Sequence, residues 1–289
     1  MPPRNAPSSP LVVTPDKVAQ ARQAPVLARL VRGGSYHRQE IERSILAPVS
    51  EGLAYAAVPL ALASILLTRS GQVSPVQGVV ILAGAIALAV AALGVGLVAG
   101  LEIWRRGSLG ILNLFRAGVV SALVLAYPAF LAFKAAVLPV LNEVSTDVSD
   151  PPVFSTLART VRARGGIRPG EATRNQRLAQ VAQWPKLRSL NLEMEAEEAF
   201  SAVMDVIKAQ KWEITEQTRP DDARGRGRIE AVVYSRLMRL PQDVTIRFRW
   251  TGAVTRVDIR ARSRFARHDL GANAALIQRV VDEVNAPGE

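Results

Sequence analysis

Four side chains in one C-terminal stretch could do acid-base chemistry. Asp243, Asp258, His268 and Asp269 all lie in DVTIRFRWTGAVTRVDIRARSRFARHDLGAN, residues 243–273, among many arginines. A histidine beside carboxylates can act as a general base, and arginines can hold an anionic substrate. His268 with Asp269 or Asp243 is therefore the candidate catalytic set, and a cell-envelope hydrolase is the alternative reading of the chain. Structural roles suit the same residues better. Asp269 stands just ahead of a helical pattern, where an aspartate caps free backbone N–H groups. Gly271 allows a close backbone approach, and Asn273 can hydrogen-bond a neighbouring loop. Asp258, on a strand between arginines, can pair with them. The expectation is a non-catalytic protein in which Asp269, Gly271 and Asn273 are structural. No metal or cofactor is expected, because the chain has no cysteine and only two histidines, His37 and His268, too far apart for a motif such as HExxH.

The arginines have their own pattern. Val244, Ile246, Phe248 and Trp250 alternate with Thr245, Arg247, Arg249 and Thr251, and after a turn at residues 251–253, Val257, Ile259 and Ala261 alternate with Asp258, Arg260, Arg262 and Arg264. A period of two marks half-buried strands. Paired as a hairpin, they turn their aliphatic side chains, with Phe248 and Trp250, to a core, and gather arginines on the opposite face. Arg228 on a neighbouring strand extends that face. It reads as a solvated surface balanced by Glu230 and Asp258, or as a binding site for an anionic envelope component at Arg247, Arg249, Arg260, Arg262 and Arg264. Nucleic acid is the weakest partner, since no exposed aromatic platform is interleaved with the basic residues.

The elements that must carry this hairpin include a membrane part. The chain has 49% apolar residues and a positive mean hydropathy, despite a formal net charge of +11 and a pI near 10.9. Apolar segments at about 52–68, 76–104 and 117–138 approach or exceed the roughly 20 residues that span a hydrocarbon core as a helix. Ahead of them, residues 1–50 form a basic arm with a proline-rich start and a short helical pattern after Thr14 and Pro15. This is not a secretory signal peptide, because the first apolar segment begins too deep in the chain. The arm and the loop with Arg105, Arg106 and Arg116 are rich in arginine, the loop at 69–75 holds one, and the third span is followed by Glu143, Asp147 and Asp150. Positive charge marks the cytoplasmic side, so the N-terminus is expected inside and the C-terminal domain outside the cytoplasm. Gly96 and Gly100 make a GxxxG pair that could serve a homo-oligomer or, more simply, packing against the chain's own helices.

After the spans, residues 142–185 read as a tether with a short helix near 173–183, and residues 186–289 as the folded domain. The patterns predict strands at 187–194, 212–218 and 228–235, the hairpin, and helices at 196–211 and 270–284. The order β-α-β-β-β-β-α predicts an α+β fold with an antiparallel sheet and helices on one face.

The blocks STDVSDPPVF, RIEAVVYSRL, DVTIRFR, VDIRARSR and HDLGAN occur in this order over residues 144–284 and resemble the family called domain of unknown function 1499, in its bacterial form with membrane helices ahead of the domain. The sequence departs from that family's pattern at Gln242, Ala266 and Leu276. The resemblance implies architecture and location and names no reaction. The combined expectation is an inner-membrane protein, in contact with membrane lipid, that presents an extracytoplasmic domain to an anionic envelope component or envelope protein.

Overall fold

A computed structural model of the chain describes residues 42–155, 171–221, 225–264 and 267–286. The arginines of the arm up to Arg38, His37, the helical pattern after Thr14, the glycine-containing part of the expected tether at 156–170, and Ala266 lie outside the described residues.

Three helices open the described chain: α1 (Leu46–Arg69), α2 (Pro75–Arg106) and α3 (Ile111–Val137). All three are long and apolar enough to cross a membrane. Their inward faces are small residues, Ala54, Ala57, Ala85, Ala89, Ala92 and Ala99 among them, while Leu62, Leu66, Leu97, Phe115, Leu123 and Phe133 point out of the bundle. Without a hydrophobic drive between helices in lipid, close backbone approach and interhelical hydrogen bonds hold such a bundle. Ser50 Oγ donates to the Ala92 carbonyl at 2.7 Å, and Ser64 Oγ to the Gly78 carbonyl at 2.7 Å. A Cβ on Gly96 would lie 2.9 Å from Ser50 Oγ on α1, and one on Gly100 would lie 3.7 Å from Leu114 of α3. The two glycines considered for a homo-oligomer thus face helices of their own chain.

α2 starts with a full capping box between Ser74 and Gln77 plus Pro75 in its first turn. At the opposite end of the bundle, Asn113 Nδ2 donates to Glu51, Ser44 Oγ donates to Glu102 at 3.1 Å, and Arg116 pairs with Glu51 at 3.5 Å. The acidic residues at the helix ends are therefore locally paired.

The C-terminal domain is a six-stranded antiparallel sheet with helices, an α+β fold. Its elements are β1 (Glu143–Ser145), α4 (Arg174–Gln183), β2 (Leu190–Leu192), α5 (Ala196–Ala209), β3 (Glu213–Thr218), β4 (Arg226–Tyr234), β5 (Pro241–Trp250), β6 (Thr255–Ser263) and α6 (Ala272–Asn285). The sheet order is β1-β6-β5-β4-β3, with β2 also on β6. β1 and β2 lie end to end along one edge of β6, opposite residues 260–262 and 255–257. The expected tether thus contributes an edge strand. The strand expected at 187–194 contracts to three residues, and β4 begins two residues earlier than expected, opposite Arg249.

The apolar face carries the core of the domain. Ile229, Ala231, Val244, Ile246, Phe248, Val257, Ile259 and Ala261 pack against Phe200, Val203 and Ile207 of α5 and Leu276, Ile277 and Val280 of α6. Phe200 and Phe248 meet with ring centroids 5.3 Å apart. Trp250, expected in this core, is at the end of β5 and is exposed, its side chain lying against Gly225.

The domain sits against one end of the helices. Arg69, in the last turn of α1, donates to the backbone carbonyls of Arg236 and Leu237 in the β4–β5 loop. In α2, a Cβ on Gly78 would lie 1.9 Å from Thr68 Oγ1 and 3.3 Å from Met238 of that loop. Gly78 therefore serves two contacts, helix to helix and domain to bundle. Gly78→Val is expected to destabilise the full chain by about 1–3 kcal/mol through overpacking, read as a lowered Tm in nanodiscs. Gly94→Val, at a position with open space, is the control and should leave the Tm unchanged.

Candidate functional site

The side chains that alternate with the core residues form the opposite face of the sheet. Glu143, Ser145, Arg256, Asp258, Arg260, Arg262, Asp243, Thr245, Arg247, Arg249, Arg228 and Glu230 share it by register. This face is not the solvated surface expected from the alternation. Residues 146–155, which follow β1 directly, fold back over it as a strap. Arg260 is 3 % exposed and Arg262 7 %. A buried guanidinium is tolerated only with a matching anion, and the strap and its neighbours supply carboxylates throughout.

At the centre, Asp258 has no solvent exposure and receives five bonds. Ser189 Oγ donates to Oδ1 at 2.6 Å and Arg256 Nε to the same oxygen at 3.0 Å. Arg247 donates to Oδ2 through Nε at 3.1 Å and Nη2 at 2.8 Å, and Arg249 Nη2 at 2.7 Å. The strap closes this cluster from above. Asp147 pairs with Arg256 Nη2 at 2.6 Å and Arg249 Nη2 at 3.4 Å, and Asp150 Oδ2 lies 3.1 Å from Arg247 Nη1 and 3.2 Å from Arg249 Nη1.

Toward β1, Arg260 Nη2 donates to both oxygens of Glu143 at 3.0 and 2.9 Å, and its Nη1 to the Pro152 carbonyl at 3.0 Å. The guanidinium also stacks 5.2 Å from the Phe154 ring centroid. Arg262 Nε lies 3.5 Å from Glu143. Further along, the strap ends with Ser155 donating its Oγ to Glu230 at 2.8 Å, and Arg264 holds Asp243 at 2.7 and 3.0 Å. Gln180 of α4 completes the edge, accepting from Ser145 N at 3.2 Å and donating to Ser145 O at 2.7 Å, as a neighbouring strand would.

Asp243 and Asp258 belong to this charged face, whereas His268 and Asp269 occupy a different corner. Asp269 accepts from Gly271 N at 3.0 Å and Asn273 N at 2.8 Å, which caps α6. His268 Nδ1 accepts from Leu270 N at 3.2 Å. Asn273 Nδ2 donates to the Asn142 carbonyl at 2.9 Å, and Asp269 N donates to the Leu141 carbonyl at 2.7 Å. Gly271 has φ of +75°, and a Cβ there would lie 3.0 Å from Leu138 and 3.5 Å from Trp184. The HDLGAN block thus clamps residues 138–142, the link between α3 and β1. Asp243 is bound to Arg264 instead of being presented to His268 as a free carboxylate. Among the described residues, no group of three or more acidic or histidine side chains could hold a metal ion.

Residues 143–284 match the family described as Protein of unknown function (DUF1499). This segment is a DUF1499 domain. The match begins at Glu143, the first residue of β1, so the edge strand and strap belong to the domain together with the sheet. No curated protein and no solved structure matches the chain. Sequence reasoning missed Glu143, Asp147, Asp150, Ser189 and Arg256 as members of the DUF1499 charge layer. The available signal was the acidic run of the supposed tether, set against an arginine-rich sheet face that needed counter-charge.

Two carboxyls in the layer are displaced in one direction. Burial alone would raise the Asp258 carboxyl, but hydrogen bonds from Ser189, Arg247 and Arg256 outweigh it and hold the group below the ordinary carboxylate range. Asp147 is likewise lowered, burial being outweighed by the Asp150 and Ser149 hydrogen bonds and the charge of Arg256. Asp269 moves the other way, raised by burial despite its N–H partners. A carboxyl lowered on folding stabilises fully above its unfolded value, near 4 for aspartate, and loses that contribution as pH falls through the folded value. Asp269 has the opposite sign and cannot cause acid loss. Stability is therefore expected to be flat near neutrality and to fall below about pH 4. Asp258→Asn, which leaves three guanidiniums to share Asp147 and Asp150, should cost about 3 kcal/mol at pH 7 and flatten the acid slope. Tm measured from pH 7 to pH 2 on the full chain checks both.

Proposed function

We propose that this is a bacterial inner-membrane protein with a cytoplasmic N-terminus, whose DUF1499 domain stands on the extracytoplasmic face and binds an anionic group of an envelope component, without catalysis. The observation that carries the binding reading is the cluster of Arg247, Arg249 and Arg256 over Asp258. Their inner nitrogens are fixed by buried carboxylates, while the side chains of Arg247 and Arg249 remain 21 % and 31 % exposed. Fixed forks with solvent-facing edges suit recognition of a planar or tetrahedral anion. Arg260 and Arg262, buried against Glu143, and Arg264, held by Asp243, act in this reading as the frame behind the site.

The orientation is supported by the arginine-rich segments around the α2–α3 loop and by the opposite end of the bundle being the one that meets the domain. The non-catalytic reading is supported by the capping geometry of Asp269 and the backbone bond of His268.

Two measurements test it. A reporter active only outside the cytoplasm, fused after Glu289, should give signal, and a reporter active only in the cytoplasm should give none. The reverse result would overturn the placement. For binding, the full chain in maltoside micelles should elute from phosphocellulose at higher salt than the Arg247→Gln/Arg249→Gln variant. Arg219→Gln/Arg279→Gln removes the same charge elsewhere and should elute as the wild type does; equal elution of both variants would remove the site assignment.

A further inference from the structure

The strap carries one carboxylate unlike the rest. Asp147 and Asp258 are almost fully enclosed, with side chains 6 % and 0 % exposed, whereas the Asp150 side chain is 64 % exposed. Yet a single oxygen of Asp150, Oδ2, sits between Arg247 Nη1 and Arg249 Nη1, 3.1 and 3.2 Å away. The same loop residue also accepts from Arg247 Nη2 through its backbone carbonyl at 2.7 Å.

Charge explains why a carboxylate is held there. Three guanidiniums, those of Arg247, Arg249 and Arg256, meet two enclosed carboxylates, and an exposed third one completes neutrality. We infer that Arg247 and Arg249 form a binding site for a phosphate group and that Asp150 occupies it as an internal stand-in which the ligand displaces. This deepens the arginine-site reading above and rests on it.

Three features favour phosphate. The two arginines are two residues apart on one strand face, so their backbones are about 7 Å apart along β5, while their forks converge on one point, Asp150 Oδ2. They are already fixed from below by Asp258, through Arg247 Nε and Nη2 and Arg249 Nη2, so binding orders no long side chain. A phosphate offers several oxygens to the outer nitrogens where Asp150 offers one, and paired guanidinium forks match that geometry. Displacing Asp150 uncovers no buried charge, because its ion pairs are already open to water and exposed pairs contribute little. Asp147 remains in place, tied to its own strap by Ser149 Oγ at 2.7 Å and Asp150 N at 2.9 Å.

The chemistry has two natural sources, a soluble phosphate ester and a phospholipid headgroup. The test uses the full chain in dodecyl maltoside, which has no phosphate, titrated with inorganic phosphate at low ionic strength by calorimetry. Asp150→Ala and Asp150→Asn should bind roughly threefold to tenfold more tightly than wild type. Arg249→Lys, which keeps the charge and loses the fork, should weaken binding in the Asp150→Ala background, and Arg247→Gln should abolish it, with unchanged circular dichroism as the check on folding. Repeating the titration in the presence of short-chain phosphatidylglycerol separates the sources. Competition by the lipid assigns the headgroup, and undisturbed phosphate binding assigns a soluble ester. If the Asp150 variants bind as wild type does while the arginine variants lose binding, Asp150 is no stand-in and this inference falls, leaving the arginine-site reading intact. If phosphate binding ignores Arg247 and Arg249, or is absent from every variant, both fall.

Discussion

A guanidinium removed from water needs a carboxylate beside it, and the pair of Arg260 with Glu143, in which Nη2 reaches both carboxylate oxygens, meets that need at the heart of the charged sheet face. Truncating one partner of such a pair strands the other, at about 3–5 kcal/mol. Glu143 is the first residue of β1, so the pair also ties the edge strand to β6, opposite residues 260–262. From that point the strap is directed across the face, where Phe154 covers Arg260 and Ser155 reaches Glu230. The sheet is thus sandwiched, with α5 and α6 on its apolar side and the strap on its charged side.

The same short piece of chain connects the sheet to the helices. Residues 138–142 run from the end of α3 into β1 and are gripped by Asp269 N and Asn273. Gly271 lets Leu138 and Trp184 approach, and Arg69 and Met238 make a second contact between bundle and domain. The domain is thus joined to the helices by a short link and touched by them at a second place.

Much of this was legible in the sequence, and the parts that were not share a physical origin. Hydropathy placed the three helices, because roughly 20 apolar residues admit few other readings. The period of two in Val244, Ile246 and Phe248, and in Val257, Ile259 and Ala261, placed the β5–β6 hairpin and its core face. Helical spacing marked a helix at 196–211, which forms α5 and turns Ala199, Phe200, Val203, Met204 and Ile207 to the core. Periodicity tells which side chains share a face; it does not tell what covers that face. The arginines therefore read as solvated when they are roofed by the strap. β1 and β2, three residues each, are too short to show a period at all. Their strand geometry comes from β6, a long-range partner that local pattern cannot reveal. Trp250 had the right phase for the core, but its position at the strand end leaves it exposed.

The central claim is that the strap is an integral layer of the domain, fixed by buried charge. Hydrogen exchange of the full chain in nanodiscs tests it most directly, at the amides of Thr146, Ser149 and Asp150, whose N–H groups donate to Ile259 O and Asp147 Oδ1. These amides should be protected in the wild type to an extent approaching those of β6, and Glu143→Gln should release them while β5 stays protected. Exchange of the strap at free-chain rates in the wild type, with β6 protected, would contradict the claim.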